Sequence, residues 1–132
     1  MYGVSMRDRP LIAIVDDDKS IRDATDNFLQ AAGFSTATFH DAESFLDSAS
    51  RRGAACIVAD MRMPGMSGLQ LYEQLVARGE RIPTVLITAY PEDALRARAR
   101  DAGIKCCLSK PFAPEELLEC VQEALGSPIP KA

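Results

Sequence analysis

Three acidic side chains stand where apolar stretches of the sequence end. Asp16 and Asp17 follow the apolar run Leu11–Val15, and Asp60 closes a second run that begins at Ala54. Two carboxylates about 4 Å apart repel each other by roughly 4 kcal/mol at an effective dielectric constant near 20, so three together need a cation or protons. Carboxylate oxygens are ligands that suit Mg²⁺. The sequence therefore predicts a Mg²⁺ site made by these acids.

A hydroxyl and an ammonium group complete the candidate site. Thr88 lies near the end of a third apolar run, and Lys110 follows a fourth. Both can bind phosphoryl oxygens as negative charge spreads onto them during transfer, and Asp60 is the natural nucleophile between them. Taken singly, Asp16 and Asp17 would fit a turn or a helix cap, and Lys110 an exposed strand end. Their occurrence together favours phosphoryl chemistry.

The pattern of apolar residues predicts five strands that alternate with five helices, and a glycine is expected to close each helix. Such alternation predicts an α/β fold, with a doubly wound five-stranded parallel sheet of order 2-1-3-4-5. That order brings the acids, Thr88 and Lys110 to one edge of the sheet. The expected strands are Leu11–Val15, Phe34–Phe39, Ala54–Asp60, Thr84–Ala89 and Cys106–Ser109, the second helix is Ala42–Ala49, and the closing glycines are Gly33, Gly53, Gly79, Gly103 and Gly126.

Length and composition indicate one acidic domain. The 132 residues carry a formal net charge of -4. They suffice for a single core, which we place at residues 11–126 between tails at 1–10 and 127–132. The negative charge argues against direct nucleic-acid binding. Because no apolar stretch could span a bilayer and residues 1–10 lack the apolar segment of a secretory signal, we expect a cytoplasmic protein without a membrane partner.

The cysteines, at positions 56, 106, 107 and 120, do not have the spacing of a zinc site. We expect free thiols that behave as small buried apolar groups. A redox pair formed by the adjacent Cys106 and Cys107 is the less favoured alternative.

Four short motifs resemble those of one known family. They are Val15-Asp16-Asp17, the nine-residue segment Asp60–Gly68, Ile87-Thr88-Ala89 and Lys110-Pro111-Phe112. In these motifs, and over about residues 11–125, the chain resembles the receiver domain of two-component response regulators, especially FixJ-like receivers. The resemblance implies the flavodoxin-like, CheY-like (βα)5 fold.

The resemblance also implies roles for the acidic residues. Asp60 would be the phosphoacceptor, taking a phosphoryl group from a phosphohistidine of a sensor histidine kinase. Asp17, Asp60 and the backbone carbonyl of Arg62 would bind Mg²⁺, and Asp16 would act through a bound water. Arg62 and Tyr90 match variable positions beside the acyl phosphate, and their bulk predicts slow self-dephosphorylation. The domain would catalyse only its own phosphorylation and dephosphorylation and would not be a turnover enzyme.

By the same resemblance, Thr88 would be the switch hydroxyl and Lys110 would pair with the phosphoryl group. The Lys110–Pro111 peptide bond would be cis. The chain departs from the family pattern at Cys107, where a Tyr or Phe usually couples its rotamer to the switch hydroxyl. Tyr90 could supply a substitute ring, although an ordinary loop aromatic is the favoured interpretation.

The phosphorylation signal would be passed on through one surface of the domain. Similar receivers form homodimers on phosphorylation across the face of helix 4, strand 5 and helix 5, where this chain has arginines on helix 4 and glutamates on helix 5. Ordinary solvated helix faces are the alternative interpretation. The charged residues are Arg96, Arg100, Glu115, Glu119 and Glu123.

Three classes of function follow from these observations. The favoured one is a phosphorylated receiver that controls transcription or a partner protein, with a carboxyl-terminal DNA-binding domain if the chain is a fragment. The alternative is a phosphorylation-independent interaction module of the same fold, which Cys107 makes plausible. A phosphomonoester hydrolase is disfavoured because no second acid lies two residues after Asp60.

Overall fold

Strands and helices alternate along the chain and build a parallel sheet. The computed structural model describes residues 9–49, 53–89, 93–104 and 106–126. Within them the five-stranded sheet has the order β2-β1-β3-β4-β5, which confirms the predicted α/β class and strand order. The elements are β1 (Leu11–Val15), α1 (Lys19–Ala31), β2 (Ser35–Phe39), α2 (Ala42–Leu46), β3 (Ala54–Asp60), α3 (Gly68–Ala77), β4 (Thr84–Thr88), α4 (Asp93–Ala102), β5 (Cys106–Ser109) and α5 (Pro114–Leu125).

The register of the strands brings their carboxyl ends to one edge of the sheet. Val15, the last residue of β1, pairs with Ala59, which directly precedes Asp60 in β3. Thr88, the last residue of β4, pairs with Ser109, the last residue of β5. Because all five strands are parallel, the side chains that follow them collect at this carboxyl edge, where α/β proteins place their chemistry.

The core consists of two apolar clusters, one on each face of the sheet. Successive strand residues point to opposite faces, so Ala13 and Val15 join one cluster while Ile12 and Ile14 join the other. The first, the α2–α4 cluster, packs under α2, α3 and α4, and the second, the α1/α5 cluster, packs under α1 and α5. Strands covered on both faces read as continuous apolar runs, which is why their positions were predictable.

Side chains at the helix starts bind backbone N–H groups that have no partner within the helix. At the start of α1, Asp18 Oδ1 accepts from the Ile21 N–H at 3.1 Å. Ser67 begins α3 with a capping box: its hydroxyl accepts from the Gln70 N–H, and the Gln70 side chain accepts from the Ser67 N–H. These bonds fix the loops that follow β1 and β3.

Some predicted boundaries were wrong. Helix α2 ends at Leu46 rather than Ala49, and Gly53 does not close it. The cap residue Asp47 keeps a right-handed conformation and its N–H bonds back to the helix, so no left-handed residue is needed there. Gly53 is not among the residues with positive φ, whereas Gly65, in the loop after β3, has a φ of 81°. Strand β2 begins one residue later and β4 ends one residue earlier than predicted.

A disulfide joins Cys106 to Cys120, which contradicts the expectation of four free thiols. The Cα atoms of the two residues lie 5.8 Å apart, because Cys106 projects from β5 toward α5. Its neighbour Cys107 points to the opposite face and packs against the α2–α4 cluster, so the alternative pairing of adjacent cysteines is also wrong. Cys56 and Cys107 are free.

Other expectations concern the ends of the chain and the membrane. Apart from Arg9 and Pro10, the predicted tails at 1–10 and 127–132 lie outside the described residues, and so does Tyr90. Among the described helices, none has both the length and the apolar character that a membrane crossing requires.

Candidate functional site

The three predicted acids meet at the carboxyl edge, between β1 and β3. Asp16 follows β1, and Asp60 is the last residue of β3. Ligand oxygens of Asp16, Asp17 and Asp60 all lie within 4.8 Å of one another. Asp16 and Asp60 are buried, with 3% and 7% of their surface exposed, and Asp17 is exposed. The cluster therefore has two buried carboxylates and one that opens to solvent, which suits a cation that keeps part of its water shell.

Asp16 is held by bonds to both its backbone and its side chain. Its N–H donates to the Phe39 carbonyl of β2 at 3.1 Å. Its own carbonyl accepts from Arg22 Nη1 at 2.7 Å, and its Oδ1 accepts from the Asp18 N–H at 2.9 Å. The carboxylate consequently has little freedom to turn away from the cluster.

The electrostatics of the cluster leave negative charge uncompensated. Burial raises the pKa of Asp16 from 3.8 to about 6, and the nearby charge of Asp60 adds to the increase, against the bond from the Asp18 N–H and the charge of Lys110. A carboxyl whose ionised form is disfavoured in this way gains most from a bound cation. The donor set, its spacing and this charge imbalance all fit Mg²⁺.

Each oxygen of Asp60 has a separate partner. Oδ1 accepts from the Arg62 N–H at 3.2 Å, and Oδ2 accepts from Lys110 Nζ at 3.0 Å. The Met61 N–H donates to the Ile87 carbonyl of β4 at 2.7 Å, which ties the residue after Asp60 to the sheet. The structure thus places Arg62 and Lys110 beside the predicted acceptor, on different oxygens.

Gly68 contributes to the site in a way that sequence analysis did not single out. A Cβ atom at this first residue of α3 would lie 2.7 Å from the Asp60 carbonyl oxygen and 2.8 Å from Leu86 Cδ2. Real Cβ atoms do not approach other atoms so closely, and the nearest one here belongs to backbone. Glycine therefore lets α3 begin directly against the end of β3. The only sequence signal was its place at the end of the Asp60–Gly68 motif.

Thr88 and Lys110 lie at the ends of the next two strands. Thr88 is fully buried as the last residue of β4. The Lys110 N–H donates to the Thr88 carbonyl at 2.8 Å, so the two predicted site residues are linked through their backbones. The Lys110–Pro111 peptide bond is cis, as predicted.

Cys107 and Arg96 lie beside these residues on β5 and α4. Cys107 is half-buried, and burial raises the pKa of its thiol while the positive charge of Arg96 acts in the opposite direction. Arg96 Nη2 donates to Ser109 Oγ at 2.6 Å, so this arginine binds the last residue of β5, which sequence analysis did not anticipate. A thiol cannot fill the volume of the aromatic ring that the family resemblance led us to expect at position 107.

Comparisons with known proteins place this site in a family. The family model described as the response regulator receiver domain matches residues 12–122. The chain is similar to response regulator protein TodT of Pseudomonas putida, with 36% identity over 121 residues that make up 91% of this chain and 53% of the relative. It is also similar to transcriptional regulatory protein FixJ of Bradyrhizobium diazoefficiens, with 32% identity over 92% of this chain and 59% of the relative.

A solved structure has a similar fold. The low-resolution structure of response regulator StyR has a TM-score of 0.82 and 42% identity, over 89% of this chain and 60% of the other. The protein is a parallel α/β domain with an acidic cluster at the carboxyl edge of its sheet. It belongs to the family of response regulator receiver domains, which are part of two-component signalling. The chain spans little more than half the length of these curated relatives.

Proposed function

We propose that Asp60 accepts a phosphoryl group from a phosphohistidine on a sensor histidine kinase. The observation that carries this proposal is the environment of Asp60. It is a buried carboxylate whose Oδ2 contacts Lys110 Nζ at 3.0 Å, inside a cluster of acids whose oxygens lie within 4.8 Å of one another. A cation binding site on one side and a fixed ammonium on the other are what an incoming phosphoryl group requires.

The transfer moves one phosphoryl group between two nucleophiles. A carboxylate oxygen of Asp60 forms a bond to phosphorus as the phosphorus–nitrogen bond of the donor breaks, and the imidazole nitrogen keeps that electron pair. Lys110 then binds a phosphoryl oxygen, and the Thr88 hydroxyl donates to another. Bound by Asp17, Asp60 and the Arg62 carbonyl, with Asp16 acting through water, Mg²⁺ would neutralise charge on the phosphoryl oxygens.

The switch would follow from the added charge. Phosphorylation brings up to two negative charges to Asp60, and a conformational shift must come from their different contacts in two states. In the phosphorylated protein Lys110 and Thr88 would contact that charge. Thr88 is the last residue of β4, Lys110 directly follows β5, and Arg96 connects α4 to β5 through its bond to Ser109. We therefore place the output on the face of α4, β5 and α5.

That face would carry a homodimer after phosphorylation. Exposed Arg96 and Arg100 lie on α4, and exposed glutamates lie on α5. If the phosphorylated protein stays monomeric at both low and high salt concentration, this dimer is contradicted. If the chain is part of a longer regulator, its output would pass to a DNA-binding domain, as the name of the relative FixJ suggests. We also propose that the domain works in the cytoplasm and turns over no external substrate.

The test is intact mass after incubation with acetyl phosphate and Mg²⁺. Native protein and Asp47→Asn, a change at an exposed acid that caps α2, should gain one phosphoryl group, and Asp60→Asn should gain none. Loss of the group should be slow, and decay within seconds would contradict the proposed shielding by Arg62. If folded native protein gains nothing from acetyl phosphate or from a phosphorylated kinase, the interaction module that signals without phosphate becomes the better description.

A further inference from the structure

We propose that Cys106 and Cys120 form a reversible thiol–disulfide exchange site that controls the segment carrying Lys110. The bridge joins the first residue of β5 to the middle of α5 over a sequence separation of 14. The loop that it closes contains the rest of β5, Lys110 and the first turns of α5. The disulfide therefore restrains the part of the chain that brings the ammonium to Asp60. This inference rests on the proposed function for its consequence, though not for the exchange itself.

The two residues of the bridge differ in burial. Cys106 is half-buried, whereas Cys120 is buried in the α1/α5 cluster. Cys106 also lines a cavity of about 310 Å³ at the amino edge of the sheet, the edge opposite the acids, together with Tyr72, Ile82 and Gly103. We take this cavity as the route by which an external thiolate would reach Cys106.

A dithiol can serve as the reductant that opens the bridge. A thiolate of the dithiol forms a bond to Cys106 Sγ, the bond between the two protein sulfurs breaks, and Cys120 leaves as a thiolate that takes up a proton. The second thiol of the reagent then attacks the mixed disulfide, which releases Cys106 and leaves the reagent as a disulfide. Two electrons pass from the dithiol to the protein, and a disulfide oxidant reverses the reaction.

The location of the bridge links it to the functional site. At a rise of about 3.3 Å per residue, Cys106 lies roughly 13 Å along the strand from Lys110, too far for a direct effect on the acids. The restraint is instead carried by the closed loop. Where intracellular proteins do contain a disulfide, it is usually transient and senses redox state, which suits a regulator in the compartment that we propose.

The first experiment counts thiols and tests reversibility. Alkylation of unfolded protein without reductant should modify Cys56 and Cys107 alone, and prior treatment of the folded protein with a dithiol should add Cys106 and Cys120. After reoxidation, only Cys56 and Cys107 should again be modified. Cys107→Ser is the matched control, since it removes a thiol from the neighbouring residue of β5 and keeps the bridge. Absence of the bridge, or its reduction only after unfolding, would overturn the proposal.

The second experiment measures how strongly the bridge restrains the segment at residues 107–119. Amide hydrogen exchange at residues 107–119 should become at least about tenfold faster on reduction in the native protein and in Cys107→Ser, because the chain restraint of the loop is lost. A Cys106→Ser, Cys120→Ser double variant should not respond to the dithiol, and Cys106→Ala, Cys120→Ala provides a second version if the serines impair folding. Equal exchange rates in the two redox states of the native protein would refute the control of this segment.

The third measurement separates this inference from the proposed function. The rate of phosphoryl gain from acetyl phosphate should fall at least about threefold on reduction of the native protein, since Lys110 is then less restrained. Equal rates in the two redox states would refute the link to Lys110. If neither state accepts a phosphoryl group, the proposed function fails, while thiol counts and hydrogen exchange still decide whether the bridge is an exchange site.

Discussion

Lys110 Nζ donates a hydrogen bond to Asp60 Oδ2 across 3.0 Å, although 50 positions separate the two residues in the sequence. The order β3-β4-β5 makes this contact, because one residue ends β3 and the other follows β5 at the same edge. Only 9% of the Asp60 side chain and 21% of the Lys110 side chain are exposed, so solvent screens the pair less than a surface ion pair. The ammonium is therefore held where phosphoryl charge would develop.

Replacing Lys110 by methionine should slow phosphorylation and leave cation binding intact. Methionine preserves much of the apolar stem and removes the charge that stabilises the transferring group. We expect the rate of phosphoryl gain from acetyl phosphate to fall by about 10²-fold, the usual cost of losing one such donor. Mg²⁺ affinity should stay equal or increase, because a competing positive charge is gone. Intact-mass time courses and calorimetric titration measure the two effects.

Lys19→Met is the matched control for that variant. Lys19 is 78% exposed and pairs with Asp23 one helical turn away, at the start of α1. Its removal should leave the phosphorylation rate and Mg²⁺ affinity unchanged, because exposed pairs of this kind contribute little. Equal phosphorylation rates for Lys110→Met and the native protein would contradict the role given to Lys110.

Asp16 should make the Mg²⁺-free protein more stable as the pH falls from about 6 toward 4. Burial raises the pKa of Asp16 to about 6 in the folded state, against 3.8 for the unfolded chain. Between pH 3.8 and about 6 the folded state binds more protons than the unfolded state. The contribution of Asp16 to the free energy of unfolding therefore decreases as the pH rises through this range. Above about pH 6 the ionised, buried Asp16 destabilises the folded state by its full amount. Asp16→Asn should therefore be more stable than the native protein at pH 7.5, by roughly 1–3 kcal/mol, and lose that advantage near pH 4.

Urea unfolding in a chelator, at several pH values, measures this difference. Asp47→Asn, at an exposed position, keeps Asp16 and should therefore show the same pH dependence as the native protein, whereas Asp16→Asn should differ from both in the window of Asp16. With saturating Mg²⁺ the order should reverse, because the native protein then gains more from the cation than a variant with one acid fewer. A stability difference that is the same at all pH values would exclude the assigned pKa as its cause.

Sequence reasoning succeeded where one local rule decides the structure. Strands buried on both faces read as apolar runs, and parallel strands end at the same edge, so the meeting of Asp16, Asp60 and Lys110 followed from their positions in the chain. The start of α3 depends on a similarly local contact, since the cap residue Ser67 and its partner Gln70 lie three positions apart.

Features that depend on how distant elements pack were not predictable. The bridge between Cys106 and Cys120 requires β5 and α5 to face each other in one particular register, and a separation of 14 residues has no local signature. The bond from Arg96 to Ser109 likewise depends on how α4 packs beside β5. Gly53 was assigned as a helix end because it is a glycine, although the chain had already left α2 at Leu46.

Gly68→Ala should destabilise the protein and disturb the acceptor. The added Cβ would meet the Asp60 carbonyl oxygen at 2.7 Å, so α3 must move away from the end of β3. We expect a loss of about 1–3 kcal/mol in the free energy of unfolding, as for other overpacked positions, together with slower phosphorylation. Gly53→Ala is the control, because the nearest atom to its added Cβ is Leu11 Cδ2 at 3.9 Å. Similar stability losses in both variants would refute the steric explanation.

Reduction of the bridge between Cys106 and Cys120 should lower the free energy of unfolding by about 3 kcal/mol, because a loop of about 15 residues is no longer closed in the unfolded chain. Urea unfolding with and without a dithiol measures this loss, which should appear in the native protein and in Cys107→Ser. Cys106→Ser, Cys120→Ser should have the lower stability in both conditions. The acids lie outside the loop that the bridge closes and at the other edge of the sheet, so Mg²⁺ affinity should not change on reduction. A drop in Mg²⁺ affinity of the same size as the stability loss would show instead that the bridge holds the acidic cluster directly.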